Sequence, residues 1–341
     1  MHNQQQNTLD RFHASGGFFL LDDKNYLLQE LLRTLAAEGY SFTTVTPLSH
    51  ELFFERTDGI AKNNADIFGW GLPFAAETLS PVVFELLSRA DLLSRCGSKF
   101  KSQVRVSSLG DDLFLHSSFP TTNAQSVFFG PDTYRFARFI KQSLQVLQLK
   151  SDMSLQRKPY RILDVGCGTG AGGVSTVRSL AADQPYELSL NDINPIALDY
   201  AFSSTQAAAI PAALLYGDFF HLNNTEFDLI VTNPPYLMDS SHRLYRDGGA
   251  HLGLDLSLKI LKHGLRLLAP GGNFLLYTGV AMTDVGKNPL LMALTSCLQN
   301  EKYQWSYEEI DPDIFGEELQ RIEYRDVNRI AAIGLIVKRL V

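Results

Sequence analysis

Asn233-Pro234-Pro235-Tyr236 is the stretch of this chain whose residue types and order speak most directly of chemistry. Two consecutive prolines remove two backbone donors and stiffen the turn. What remains is a rigid set of acceptors, the Asn233 side-chain oxygen and the Pro234 carbonyl. An NH2 group donating to both is held with its lone pair facing an electrophile. Amide and aromatic amino nitrogens are poor nucleophiles because their lone pairs are delocalised. Accepting both hydrogens concentrates density on nitrogen, and alignment for in-line displacement supplies much of the rest. Tyr236 offers a flat face for stacking a planar acceptor. An isolated Asn-Pro pair is commonly just a capped turn, so the reading depends on what precedes it.

What precedes it is Asp164-Val165-Gly166-Cys167-Gly168-Thr169-Gly170-Ala171-Gly172-Gly173, directly after the apolar run Arg161–Val165. Glycines at a strand-to-helix turn let the backbone bend sharply and approach a ligand closely. Gly168, Gly170 and Gly173 also satisfy a G-x-G-x-x-G dinucleotide pattern, so a nicotinamide-dependent oxidoreductase is the alternative reading. A dinucleotide site stabilises a pyrophosphate on a helix N-terminus. Here Asp164 stands before Gly166, Gly168 and Gly170, and a carboxylate beside the turn suits the ammonium of a zwitterionic methionine tail. Asp192 follows about twenty residues on, where an acidic side chain can accept from ribose hydroxyls in either kind of site. Gly217-Asp218-Phe219 then provides a carboxylate for an adenine amino group and an aromatic ring to pack on the base. The three segments in register favour S-adenosylmethionine. Cys167 reads as a small filler, because no His lies near it in sequence.

These residues need a frame, and the pattern supplies one. Strand and helix signals alternate from Arg161 onward: Arg161–Val165, a helix after Gly173, Glu187–Asn191, a helix from Pro195, Leu214–Tyr216 and Phe227–Thr232. A helix over Asp255–Leu268, a turn at Pro270-Gly271-Gly272, and strands at Asn273–Thr278 and Arg329–Lys338 complete it. Such alternation marks an α/β fold with a doubly wound, mostly parallel sheet and helices on both faces. Ahead of it, Tyr26–Leu35 places leucines on a helical stripe ending near Gly39, and Pro81–Leu87 predicts a second helix. Lys101–Val106 and Leu113–His116 alternate as strands of a hairpin, and helices followed by a hairpin would suit a winged-helix-like module. Ser151–Lys158 is polar and reads as a linker. The expected division is a substrate-recognition domain at 1–120, a connecting segment at 121–158 and a catalytic domain at 159–341.

The chain from about Phe128 onward resembles the amino-methyltransferases that carry this tetrapeptide. They include the protein-glutamine N5-methyltransferases (HemK-like, small-domain methyltransferase family), which act on release factors and a ribosomal protein, and base N-methyltransferases acting on adenine N6 or guanine N2. Asp164-x-Gly166-x-Gly168-x-Gly170 is similar to their first motif. Arg246-Asp247-Gly248-Gly249, Gly253-Leu254-Asp255 and Leu268-Ala269-Pro270-Gly271-Gly272 are similar to the glutamine enzymes' segment after the tetrapeptide. Phe128-Phe129-Gly130-Pro131-Asp132-Thr133-Tyr134 looks like the motif with which they cover the cofactor. The resemblance implies a Rossmann-like class I methyltransferase with a seven-stranded sheet, Asn233 and Pro234 on the acceptor amide, and Asp192 on the ribose. This sequence departs from the glutamine enzymes in its longer N-terminal part, in Leu237-Met238-Asp239 where they have Ile-Pro, and in Tyr277-Thr278-Gly279 where they have a glutamate.

Composition narrows the partners. A net charge of −7 over 341 residues supplies no global positive field for nucleic acid. Arg95, Lys99, Lys101 and Arg105 read as a solvated surface rather than a nucleic-acid wing. Glu308, Glu309, Asp311, Asp313, Glu317 and Glu318 read as a charged loop. The segment with His242, Arg243, Tyr245, Arg246 and His251 is positioned as a lid over the acceptor. Cys96, Cys167 and Cys297 are too far apart in sequence for a disulfide framework or a metal set, and no metal is expected. The polar start Met1–Asn7 lacks a signal peptide's basic and apolar regions, and there is no apolar run long enough to span a bilayer, so the expected location is cytoplasmic. A protein glutamine is the favoured acceptor, with a nucleobase amine or a small-molecule nitrogen left open.

Overall fold

The computed structural model describes residues 12–13, 22–121, 123–150, 158–239, 241, 243–283, 288–298 and 302–341. The expected linker 151–158 (except Lys158), the polar start Met1–Asn7 and His242 lie outside the described residues. In chain order the strands are β1 Phe12–His13, β2 Leu93–Cys96, β3 Lys99–Ser102, β4 Val104–Leu109, β5 Asp112–Ser117, β6 Tyr160–Val165, β7 Tyr186–Asp192, β8 Ala213–Tyr216, β9 Phe227–Thr232, β10 Leu268–Met282, β11 Tyr303–Asp311 and β12 Arg329–Arg339. The α-helices are α1 Asp23–Ala37, α2 Pro47–Phe54, α3 Pro81–Arg89, α4 Pro131–Lys150, α5 Ala171–Arg178, α6 Pro195–Ala207, α7 Leu254–Leu267 and α8 Pro289–Cys297. None of the described helices is long and apolar enough to cross a membrane.

The central sheet runs β1-β8-β7-β6-β9-β10-β12-β11, parallel throughout except that β12 is antiparallel to both neighbours. Strands covered on both faces must be apolar along their length. Accordingly β9 has five of its six residues buried. The strand order reverses between β6 and β9, which both leave the sheet in the same direction. A doubly wound sheet opens its ligand crevice at that point. The expected seven strands become eight because Phe12–His13 adds a short parallel strand beside β8.

Residues 22–121 hold three α-helices and two hairpins, where one hairpin was expected. The expected strand Lys101–Val106 is split at Gln103, whose amide bonds Leu92 O, and the two halves join different sheets. These elements rest on α6, which is buried on nearly all sides. Its buried Ser203 and Thr205 tolerate that cover because each hydroxyl donates to a carbonyl one turn back, Asp199 O and Ala201 O, at 2.8 Å. Ala197 and Tyr200 of α6 belong to the N-terminal apolar cluster, while Leu198, Ala201 and Phe202 face the sheet's cluster. Asn25 Nδ2 donates to Asp199 Oδ1 at 2.7 Å, and Arg178 holds Asp112 with two bonds of 3.0 and 2.8 Å.

Two charge expectations are corrected. Arg105 is buried, donating through Nε to Gly69 O at 2.8 Å, so it is no part of a surface patch with Arg95, Lys99 and Lys101. The acidic run is not a loop as a whole. Glu308, Glu309 and Asp311 lie on the edge strand β11, where charges discourage strand addition. Glu317 and Glu318 belong to a short 3-10 turn, and Glu318 is buried.

Candidate active site

At the end of β6 the chain turns through Gly166, Gly168 and Gly170, whose φ values are +66°, +53° and +80°. Side chains other than glycine are strained in that region. Asp164 reaches under the turn and accepts from Gly173 N–H at 2.7 Å. Gly172 and Gly173 are small for packing reasons: a Cβ on Gly173 would lie 2.6 Å from Leu190. Burial pushes the Asp164 carboxyl up to about 7. From β7, Asp192 accepts from Gly168 N–H and Asn194 N–H, both at 2.9 Å, and burial raises its carboxyl as well. The cap of α6 is Asn194, on Ile196 N–H, rather than Asp192. From β8, Asp218 accepts from Phe220 N–H at 3.0 Å and starts a 3-10 turn that buries Phe219.

These segments surround a cavity of about 560 Å³. Its size lies in the range of roughly 300–1,000 Å³ usual for small-molecule sites. Asp164, Gly166, Gly168, Asp192, Asp218, Phe219, Asn233, Pro234 and Tyr236 all line it. Gly170 does not; it precedes α5 and approaches Ala201 of α6. Its place in the motif is a matter of chain path and close packing.

β9 delivers the tetrapeptide to this cavity, braced by Thr232 Oγ1, which donates to Val165 O at 2.9 Å. Asn233 Oδ1 is buried and accepts from no group of the protein. Leaving a buried acceptor empty costs on the order of 1–3 kcal/mol. It is the atom from which the sequence reading expected acceptor binding. Tyr236 is less free than expected: its ring lies against Gly279, where a Cβ would collide with it, and Phe315 meets it edge-on at 6.0 Å. The ring is therefore built into the wall of the cavity.

The segment after the tetrapeptide folds back on it. Leu237 N–H donates to Arg246 O at 3.1 Å and Gly248 N–H to Leu237 O at 2.7 Å. Gly248 and Gly253 make the approach feasible. A Cβ at Gly248 would lie 2.6 Å from Tyr236 Cα, and one at Gly253 2.5 Å from the Tyr236 carbonyl carbon. Arg243 pairs with Asp239 at 2.7 Å, holding that carboxyl well below its usual range, and reaches Thr121 O at 3.3 Å. Tyr245 donates to Thr121 O at 2.8 Å and stacks on Phe128. The expected lid is thus fastened to the connecting segment. His251 is exposed and bonds Asp255 at 2.6 Å, away from the cavity lining.

Phe315 and Arg321 join the site without any mark in the sequence, and Asp132, Tyr277, Arg246 and Glu318 make contacts there that the sequence did not assign to them. Asp132, at the start of α4, lines the cavity and accepts through Oδ1 from Tyr277 Oη at 3.0 Å and Arg135 Nη1 at 3.1 Å. Its Oδ2 is buried without a donor, and burial pushes the carboxyl up to about 6. Tyr277, whose run stands where the glutamine enzymes have a glutamate, is therefore tied to the Phe128–Tyr134 motif over the cavity. Phe315 holds φ +53°, a strained conformation for a bulky residue. Arg246 and Glu318 form an ion pair inside the wall, and Arg321 also binds Glu318, at 3.0 Å. Asp132 lies inside the Phe128–Tyr134 motif likened to a cofactor cover, which marks its place but not its partners; Glu318 and Phe315 carry no local signal. Among the described residues no group of three or more His, Cys, Asp or Glu is placed to hold a metal ion.

Residues 144–299 match the family described as methyltransferase small domain. The ribosomal RNA small subunit methyltransferase C of Actinobacillus pleuropneumoniae serotype 3 is 30% identical over 103 residues, 30% of each chain. The release factor glutamine methyltransferase of Deinococcus radiodurans is 30% identical over 126 residues, 34% of this chain and 44% of that one. The aligned part spans less than half the length of these curated relatives. Among solved structures, wild-type Trm5b from Pyrococcus abyssi superposes with a TM-score of 0.47 at 12% identity, over 87% of this chain and 78% of that one.

Proposed function

We propose that this chain, whose catalytic part belongs to the methyltransferase small domain family, is an S-adenosylmethionine-dependent N-methyltransferase acting on a planar amide or amino nitrogen. The observation that carries the reading is Asn233 Oδ1, a buried acceptor with no protein donor, in the wall of the cavity that the glycine turn opens.

The donor set fits the cofactor. Asp164 and the unpartnered Asp132 Oδ2 suit an ammonium, Asp192 has lone pairs left for ribose hydroxyls, and Asp218 beside Phe219 suits an adenine ring. S-adenosylmethionine supplies a methyl group on a positively charged sulfur. Asn233 Oδ1 and the Pro234 carbonyl accept the two hydrogens of the substrate NH2, turn its lone pair towards that methyl and stabilise the positive charge that grows on nitrogen. The proton leaves after transfer, so no strong base is needed beside the tetrapeptide. Phe315, Tyr236 and the fastened residues Leu237, Arg243, Tyr245 and Arg246 screen the reacting nitrogen from water.

A protein glutamine is the acceptor favoured here. The cavity wall contains five carboxylates, Asp132, Asp164, Asp192, Asp218 and Asp247. Its two cations, Arg243 and Arg246, are both engaged by Asp239 and Glu318. A neutral side-chain amide suits such a wall better than a polyphosphate backbone does. The relative named as an rRNA methyltransferase keeps a nucleobase amine as the second reading. Titration calorimetry with S-adenosylmethionine and with NAD separates the cofactors. Saturable binding of NAD alone would overturn the proposal.

A further inference from the structure

We infer that Arg246 is the second anchor of the methyl acceptor, donating its Nε–H to the carbonyl oxygen of the amide whose NH2 is held by Asn233 and Pro234. This rests on the methyl-transfer reading above and adds a residue that selects the acceptor.

Three observations converge on it. First, Arg246 lines the same cavity as Asn233, and its backbone carbonyl bonds the amide of Leu237, the residue directly after the tetrapeptide. Its side chain therefore starts beside the acceptor-binding turn. Second, Arg246 Nε is buried and has no acceptor in the protein. Two residues of the wall thus carry an unpartnered acceptor, Asn233 Oδ1, and an unpartnered donor, Arg246 Nε–H. Third, Arg246 is not required to neutralise Glu318, because Arg321 Nη1 already meets that carboxylate at 3.0 Å. The Glu318 bond instead fixes the plane of the guanidinium, and with it the direction of the Nε–H.

A primary amide has the complementary pattern: two N–H donors on nitrogen and one acceptor on the adjoining carbonyl. The contact to the carbonyl orients the group and does not activate it. Drawing density onto oxygen strengthens amide resonance and makes the nitrogen no more nucleophilic. Loss of Arg246 should therefore appear in acceptor binding and leave the methyl-transfer step nearly intact. An acid cannot substitute for the amide, since a carboxylate brings no N–H to Asn233.

The test uses the full-length chain, S-adenosylmethionine labelled in its methyl group, and the protein and RNA fractions of a lysate from cells lacking this enzyme. An N-methylated side-chain amide releases labelled methylamine on acid hydrolysis, and a methylated base does not. The rate is followed against dilution of the protein fraction for wild type, Arg246→Met and Arg246→Lys. The expected result is label recovered as methylamine from protein. Arg246→Met should raise the apparent KM for the acceptor on the order of 10- to 100-fold, the effect of one lost charged hydrogen bond. Its kcat and S-adenosylmethionine Kd should stay near wild type. Arg246→Lys, which keeps the charge without the fixed N–H, should fall between. An unchanged KM in both variants, a loss confined to kcat, or label found only in RNA would overturn the inference. Failure of the wild type to label either fraction would instead overturn the methyl-transfer reading itself.

Discussion

Replacing Gly248 with alanine probes the coupling between the post-tetrapeptide segment and the reacting geometry. The new Cβ would lie 2.1 Å from Gly253 O and 2.6 Å from Tyr236 Cα, whereas ordinary contact begins at 3.4 Å. The neighbouring backbones must yield by about 1.3 Å at Gly253 and about 0.8 Å at Tyr236. No flexible side chain can yield in their place, because the atoms met belong to the backbone of Tyr236 and Gly253. Gly253 cannot easily retreat, since it follows His251 and Leu252 in left-handed conformation, with φ values of +53°, +56° and +86° in sequence order. The displacement therefore falls on the Asn233–Tyr236 turn. Overpacking of this kind costs about 1–3 kcal/mol. A misplacement near 1 Å in a catalytic geometry can cost about a hundredfold in rate. Gly166–Gly173, on the far side of the cavity, is untouched. Gly248→Ala should thus lower kcat roughly a hundredfold while S-adenosylmethionine Kd, measured by calorimetry, changes little. A thermal melt separates the local effect from unfolding. Wild-type turnover with an unchanged melting temperature would refute the close-approach argument.

Other consequences follow from the same geometry. Asp164 and Asp132 titrate near 7 and 6 instead of their ordinary 3.8 because of burial, so an ammonium ligand meets charged partners only above those values. S-adenosylmethionine Kd should rise as pH falls below 7, roughly tenfold per unit for a single required ionisation, and calorimetry between pH 5 and 8 should lose this slope in Asp164→Asn. The sign for stability is opposite. The folded chain without ligand holds protons that the unfolded chain releases, so its stability should increase as pH drops from about 7 towards 4 by this contribution, and decrease as pH rises; urea melts at several pH values measure it. Tyr277→Phe removes a hydrogen bond that lowers the Asp132 carboxyl, so cofactor affinity at neutral pH should fall by roughly 3- to 10-fold. Gly279→Ala drives a methyl into the Tyr236 ring and should lower the melting temperature and turnover together, by an overpacking cost of about 1–3 kcal/mol.

Much of the catalytic part was legible because its signals are local. Phe227–Thr232 matches β9 residue for residue, and Gly166, Gly168 and Gly170 all adopt the left-handed turn their spacing demands. Gly253 and Gly248 were read as parts of a family segment, and the structure adds the physical reason, a backbone approach that admits no Cβ. What was missed depends on partners distant in sequence. β11 looks like a run of charge because one face of an edge strand is exposed, and only pairing with β12 makes it a strand. β2 is largely exposed and so lacks the alternation that betrays a half-buried strand. Arg105 looks like its exposed neighbours until Gly69, from a different turn, is brought against it. Asp132 with Tyr277, and Arg246 with Glu318, are joined across 145 residues in one case and by a C-terminal turn in the other. Sequence spacing records neither encounter.

The central claim is that Asn233 Oδ1 receives the nucleophilic NH2. It is tested most directly by single-turnover methyl transfer from labelled S-adenosylmethionine to the protein fraction, comparing wild type with Asn233→Ala at saturating cofactor. The expected result is a loss of about 10²- to 10³-fold in the transfer rate, the usual effect of removing one group that stabilises developing charge, with cofactor affinity largely kept. Transfer by Asn233→Ala at the wild-type rate would contradict the account.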